Sequence, residues 1–309
     1  MAEVLPNLLL IGAMKAGTTT FSADLARWSG IFLPATKEPH FLSEPDFTPG
    51  AAGRAYARLY GSHEARAARY RLDASTGYAK MPLVKTVPER AFDLLGGDLR
   101  IIYLVRDPVE RALSHHAHLL RNGRAPVSFA EALASVREIT AYSRYGYQIG
   151  FWLEKFPEYS ILPVCWESYL AHRDATLNAV AEFLRMPRAS IAPDSPVALN
   201  RRDDIVNYPH WIRALLKLRH GATYKAIIAP ALPRTFRVGF QRLFGRAGRG
   251  PEPIVDPGAT TILRDHLGDD LARLSARFPD FRASWLPTAD SGAVSVQKVS
   301  RLSPNDPPC

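Results

Sequence analysis

The stretch at residues 7–20, NLLLIGAMKAGTTT, constrains this chain more than any other. Residues 8–11 form an apolar run that suits a strand buried on both faces of a parallel sheet. Gly12 breaks the run. Gly17 and three threonines come next, and Phe21, Leu25 and Trp28 then recur at helical spacing. A strand that passes through a glycine-bounded loop into a helix start aims backbone N–H groups and a helix dipole at one spot, where a phosphate fits. The spacing nearly matches a Walker loop, in which Lys directly follows the second glycine. Here Lys15 stands two residues before Gly17, so the phosphate cradle is kept and the expected grip on a γ-phosphate is not.

Two further apolar runs read as buried strands, residues 99–105 (LRIIYLV) and 161–166, with a weaker one at 31–33. Helical spacing recurs over residues 51–71, 88–95, 108–117, 128–136, 145–156, 174–185 and 257–278. Gly96-Gly97 ends the second of these, Asp174 reads as the cap of the sixth, and Pro187 closes it. Residues 72–78, LDASTGY, read as a strand end that passes into a polar loop, and residues 36–49, with three prolines, as an irregular loop. Strands alternating with helices predict an α/β, P-loop-like three-layer fold with a central parallel sheet flanked by helices. The chain has no internal repeat and no clean linker, so one domain over 1–286 is expected, with a disordered polar tail at 287–309.

Composition narrows the setting. None of the apolar runs approaches the length of a membrane span, and residues 1–7 lack the basic-then-apolar layout of a secretory signal. The two cysteines, one in an apolar run and one at residue 309, do not suggest a disulfide, and a reducing cytoplasm is the natural reading. The net charge is +9, and residues 201–250 alone carry eleven Lys or Arg against two acids. That segment favours anionic partners, or is a solvated basic face.

Three clusters carry chemistry. In the first loop, the N–H groups of residues 16–19 (Ala16, Gly17, Thr18 and Thr19) are placed to donate to a phosphate, with hydroxyls from the threonines through Thr20, and Lys15 can reach an oxygen on which negative charge grows. In the second, RDPVERALS, Arg106 ends a strand and Ser114 lies two turns into the next helix on the same side, a clamp for a second phosphate. Arg111 between them reads as a structural ion-pair residue. The third is the segment Lys37-Glu38-Pro39-His40, where Glu38 and His40 are the base-type residues and Pro39 stiffens the backbone between them. His115, His116 and His118 do not converge on one face, and no metal is expected there.

GAMKAGTTT resembles the 5′-phosphosulfate loop of sulfotransferases that use 3′-phosphoadenosine 5′-phosphosulfate (PAPS), and TKEPHFLSE resembles the catalytic segment of their heparan-sulfate-type and related bacterial branch. The resemblance implies sulfuryl transfer from PAPS to a hydroxyl, less readily an amine, of a carbohydrate or other small-molecule acceptor. The product would be 3′-phosphoadenosine 5′-phosphate (PAP), and no metal or nucleic acid would be needed. It implies Glu38 as general base with Lys37 and His40 assisting, Lys15 at the leaving oxygen, and Arg106 with Ser114 at the 3′-phosphate. Arg201 and Arg202 fall about where a basic loop covers that phosphate. Glycosaminoglycan-sulfating relatives carry a lysine where this chain has Ala74. The loops around Thr48, residues 75–80 and Pro209 are expected to line the acceptor side. Two rivals remain at this level. A P-loop kinase or hydrolase needs a lysine after Gly17 and a magnesium-holding aspartate at a strand end, where this chain has Arg106. A non-catalytic polyanion binder would use residues 201–250, which lack regular aromatic interleaving.

Overall fold

The computed structural model describes residues 4–36, 38–187, 206–207, 246–247 and 252–286. Lys37, Arg201, Arg202 and the tail from residue 287 lie outside them. Five strands, β1 (Leu8–Leu10), β2 (Ile31–Phe32), β3 (Tyr70–Asp73), β4 (Arg100–Val105) and β5 (Ile161–Cys165), form one sheet in the order β2-β3-β1-β4-β5. Every pair in it is parallel. A second, two-stranded antiparallel sheet joins β6 (Val206–Asn207) to β7 (Arg246–Ala247). The helices are α1 (Thr18–Leu25), α2 (Pro49–Leu59), α3 (His63–Ala67), α4 (Val87–Leu95), α5 (Pro108–Arg121), α6 (Phe129–Ser135), α7 (Arg137–Ala141), α8 (Tyr145–Leu153), α9 (Trp166–Ala171), α10 (Arg173–Phe183) and α11 (Pro257–Arg277). The central parallel sheet flanked by helices is the α/β fold that the sequence predicts.

β1 takes the middle of the sheet because all three of its side chains are apolar and buried. It pairs Leu8 with Leu72 on one side and with Arg100 on the other. The ladder with β4 runs on past Leu10, since Ile11 N donates to Ile102 O at 3.1 Å and Leu104 N donates to Gly12 O at 3.0 Å. The glycine loop therefore leaves from inside the sheet. The chain lays β2 and β3 on one flank of β1 before crossing to β4 and β5 on the other, and such a reversal opens a crevice at the C-terminal strand ends.

Several helices sit where they do through contacts distant in sequence. Asp24 of α1 is buried, accepts from the Tyr169 hydroxyl of α9 and pairs with Arg173 at 2.5 Å. The buried Asp270 of α11 accepts from Gly146 N and Tyr147 N at 2.8 and 2.9 Å and so satisfies the first-turn amides of α8. Arg90 of α4 donates to the carbonyls of Leu42 and Glu44, pinning the far end of the 36–49 loop.

Three local expectations need correction. Residues 51–71 do not make one helix: Ser62 caps α3 through Ala65 N after α2 has ended, and residues 70–71 open β3. Asp174 does not cap α10, which begins at Arg173 with Asp174 in its first turn. Arg111 makes no ion pair among the described residues. It is fully buried and donates instead to Ser143 Oγ at 2.7 Å and Ile139 O at 2.5 Å, and burial pulls its pKa down.

Candidate active site

The glycine loop is shaped by one close approach. Gly17 is the N-cap of α1 with φ 91°, and a Cβ there would stand 2.4 Å from the Trp166 ring. Only glycine meets both demands. A helix leaves its first-turn N–H groups without intrahelical partners, and α1 has no side-chain cap to take them. Lys15 also adopts the left-handed region, φ 72°. Lys15, Gly17, Thr18, Thr19 and Thr20 line one wall of a cavity of about 480 Å³. Ala16 does not. It is buried, and its N–H closes the loop on Ala13 O at 3.0 Å.

The opposite clamp is built at the end of β4. Asp107 caps α5 through Val109 N and Glu110 N, with Pro108 in the first turn, so the helix starts immediately after Arg106. The Tyr145 hydroxyl donates to Arg106 O at 2.7 Å and fixes the backbone there. Arg106 and Ser114 both line the cavity, as their spacing predicts. The Arg106 guanidinium rests 3.1 Å from the Glu110 carboxylate.

Glu38 and His40 part company. Glu38 lines the cavity, whereas His40 stands behind it with Nε2 3.0 Å from Glu38 Oε2. Thr76 Oγ1 donates to the same oxygen at 3.1 Å. Nδ1 of His40 is buried without a hydrogen-bond partner among the described residues, and a Cβ at Gly77 would stand 2.6 Å from it. His40 thus meets Glu38 through Nε2, while Nδ1 faces the Gly77 backbone.

Five further residues share the cavity: Met14, Thr76, Lys80, His118 and Trp166. Trp166 follows β5 directly, and the rule that ligands sit at strand ends points to it. His118 lies one turn beyond Ser114, so helical spacing points to it as well. Burial, then Lys15, Arg121, Arg124 and Lys80, push its pKa down to about 4. Burial also lowers the Lys80 pKa, with Glu38 opposing and Arg124 reinforcing the shift. Thr76 and Lys80 belong to the 75–80 loop expected on the acceptor side, but nothing in the sequence singles out Lys80. Its segment is set by Gln148, whose amide accepts from Met81 N and donates to Met81 O, both at 2.9 Å. Three cations, Lys15, Lys80 and Arg106, thus share the cavity with one acid, Glu38, which suits a multiply charged anion. His115 stacks on Tyr142, and His116 Nε2 lies 2.7 Å from Pro126 O. Among the described residues, no three or more His, Cys, Asp or Glu side chains come together as metal ligands.

The profile of the sulfotransferase family matches residues 6–190. Among solved structures, a sulfotransferase from Alicyclobacillus acidocaldarius superposes with a TM-score of 0.61 at 22% identity, covering 91% of this chain and 98% of that one. The sulfotransferase domain of the curacin biosynthetic pathway gives 0.46 at 15% identity, covering 86% and 98%. A mouse sulfotransferase complexed with PAP gives 0.43 at 15% identity, covering 73% and 88%. None of the curated proteins matches the chain. The family match spans well over half of the sequence and contains the glycine loop, the Glu38 loop and the Arg106 clamp: the chain belongs to the sulfotransferase family and is a PAPS-dependent sulfotransferase.

Proposed function

We propose that the protein transfers a sulfuryl group from PAPS to a hydroxyl of a small-molecule or carbohydrate acceptor, with Glu38 as the general base. One observation carries this reading: the Lys15 loop, the Arg106–Ser114 clamp and Glu38 line a single cavity. Two separated anion clamps fit a nucleotide phosphorylated at both its 5′ and 3′ positions better than a mononucleotide. The start of α1 at Gly17, whose first-turn amides have no side-chain cap, fits the 5′ end. The donor supplies an activated sulfuryl group joined to a phosphate.

The chain's own groups divide the work. The amides and hydroxyls of residues 17–20 and the Lys15 ammonium hold the 5′-phosphosulfate, with Lys15 positioned to meet negative charge on the leaving phosphate. Arg106 and Ser114 take the 3′-phosphate, and by resemblance Arg201 and Arg202 add to that side. Trp166, packed against Gly17, offers an aromatic face to a purine. Glu38 accepts the acceptor's proton, while Thr76 and His40 hold its Oε2. Lys80 adds positive charge near Glu38, and Lys37 assists by resemblance. Residues 36–44 resemble the catalytic segment of the heparan-sulfate-type and related bacterial branch, while Ala74 argues against a glycosaminoglycan as the acceptor.

The test is calorimetry with PAP, ADP and AMP, followed by measurement of PAP release from PAPS in excess EDTA. Tight binding of PAP alone and metal-independent turnover support the reading. Equal affinity for PAP and AMP overturns it.

A further inference from the structure

The β3 end holds a buried carboxylate that the chemistry above does not use. Asp73 is fully buried and accepts three hydroxyl hydrogen bonds: Ser75 Oγ to Oδ1 at 2.5 Å, and the Tyr56 and Tyr78 hydroxyls to Oδ2 at 2.8 and 2.7 Å. With their protons turned inward, Ser75 and Tyr78 present lone pairs outward. Both lone pairs meet backbone N–H groups of the Glu38 loop: His40 N donates to Ser75 Oγ at 3.1 Å, and Leu42 N donates to the Tyr78 hydroxyl at 3.5 Å. The His40 ring also meets the Tyr78 ring edge to face.

The loop needs this restraint. Glu38 and His40 are both non-glycine residues in the left-handed region, φ 51° and 60°, a conformation that persists only where surroundings enforce it. The residue after Ser75 is Thr76, which donates to Glu38 Oε2. A continuous path therefore runs from Asp73 through Ser75 to the His40 backbone, and through the 73–78 segment to the Glu38 carboxylate. Tyr56 and Tyr78 stay protonated donors, since burial and the Asp73 charge push their pKa values up; burial also raises the Asp73 pKa, and the bonds from Ser75, Tyr78 and Tyr56 oppose that rise.

We propose that Asp73 is a positioning residue: by orienting the Ser75 and Tyr78 hydroxyls as acceptors, it fixes the strained 38–42 backbone and thereby the reach of Glu38 into the cavity. The proposal rests on the reading of Glu38 as the base. An amide at residue 73 would offer its own donors to the hydroxyls, turn them round and release the loop.

The test uses the full chain and two readouts. Hydrogen exchange of peptides spanning residues 38–44, read without nucleotide, reports the tether alone. Asp73→Asn and Ser75→Ala are expected to speed that exchange, to lower kcat by about a hundredfold and tenfold respectively, as misplacement of a reacting group by an ångström does, and to leave PAP affinity unchanged. Tyr56→Phe removes a bond to Asp73 and a contact with the Tyr78 hydroxyl but leaves the Ser75–His40 link intact, so it should lower stability and move both readouts much less than Ser75→Ala does. Should Asp73→Asn fail to fold, Ser75→Ala and Tyr56→Phe still make the comparison. Unchanged exchange in Ser75→Ala, equal effects of Ser75→Ala and Tyr56→Phe, or a Glu38→Gln/Asp73→Asn double variant slower than Glu38→Gln alone overturns the proposal. If Glu38→Gln stays active while exchange still quickens, the base assignment fails and the tether stands.

Discussion

Glu110 holds Arg106 across one helical turn, with Oε2 3.1 Å from Nη2. The pair is open to water, with side-chain exposures of 26% and 53%, and pairs of this kind contribute only about 0–1 kcal/mol. A phosphate that offers Arg106 two oxygens outbids it. Arg106→Ala should therefore weaken PAP binding by about 2–3 kcal/mol, roughly a hundredfold, and leave AMP binding alone. Glu110→Gln should tighten PAP by about twofold, since it removes a competitor worth only a few tenths of a kcal/mol. Calorimetry on the two variants checks both directions, and weaker PAP binding by Glu110→Gln would refute the competition.

Gly17 and Trp166 predict a coupled pair. Gly17→Ala forces a Cβ into φ 91° and against the indole, so nucleotide affinity and stability should both fall, the backbone alone costing about 1 kcal/mol. Trp166→Ala removes the clash and leaves the strain. In the double variant, part of the stability lost by Gly17→Ala should return, which a thermal or urea denaturation cycle measures. Strict additivity would mean that the indole does not set the requirement for glycine.

His118 predicts the pH dependence of binding. Its pKa in the folded protein, about 4, lies below the ordinary 6.5, so between those values the unfolded chain binds more protons. Stability from this group is complete above pH 6.5 and declines as pH falls toward 4. A bound polyanion in the same cavity favours the imidazolium and opposes that decline. PAP binding near pH 5.5 should therefore take up a proton, seen as a buffer-dependent heat in calorimetry, and His118→Asn should remove the uptake assigned to this ring. An identical uptake in the variant would place the proton on the nucleotide or elsewhere.

The sequence shows most clearly what depends on neighbours along the chain. The apolar runs of β1 and β4 announce buried strands, and the segment after each, GAMKAGTTT or Arg106-Asp107-Pro108, announces one of the two clamps. Local chemistry is enough there: a glycine that takes a positive φ, and an aspartate that caps the next helix. What the sequence hides is settled by contacts across long stretches of chain. Asp270 satisfies the start of α8 from α11, and Asp24 rather than Asp174 organises the start of α10. The same holds within the site. Glu38 and His40 look equivalent in sequence, and only the arrival of Thr76 and Gly77 from the end of β3 puts one in the cavity and the other behind it. The sequence points to the 75–80 loop as a whole and does not single out Lys80, since Gln148 from α8 fixes the backbone that presents it.

Lys80 predicts a charge effect at the transfer end. The Lys80→Met variant keeps most of the side-chain length and loses the charge. PAPS binding should weaken more than PAP binding, because only PAPS carries the sulfuryl group near Glu38. A decrease in kcat of about 10²–10³, the size of one lost oxyanion donor, should accompany it. Equal losses for PAPS and PAP would instead assign Lys80 to the nucleotide.

Glu38 and Lys15 should separate under mutation because one serves the acceptor and the other the donor. Glu38→Gln keeps the volume and one acceptor oxygen, so Thr76 can still donate to it and the loop should hold its shape. What it loses is the capacity to take a proton, and removal of a general base lowers the rate by about 10²–10⁴. PAP affinity should stay near that of the native protein. Lys15→Ala should lower both PAP affinity and kcat, because the ammonium meets the donor in the ground state and more strongly as charge builds on the leaving phosphate. Retention of more than about a tenth of native kcat by Glu38→Gln, far short of a general-base loss, would remove Glu38 from the role. His40 would then be next to test, although its position behind Glu38 and outside the cavity lining predicts that His40→Ala acts by loosening Glu38. In that case the effect of His40→Ala should vanish in the Glu38→Gln background, and steady-state kinetics on the double variant decides between the two.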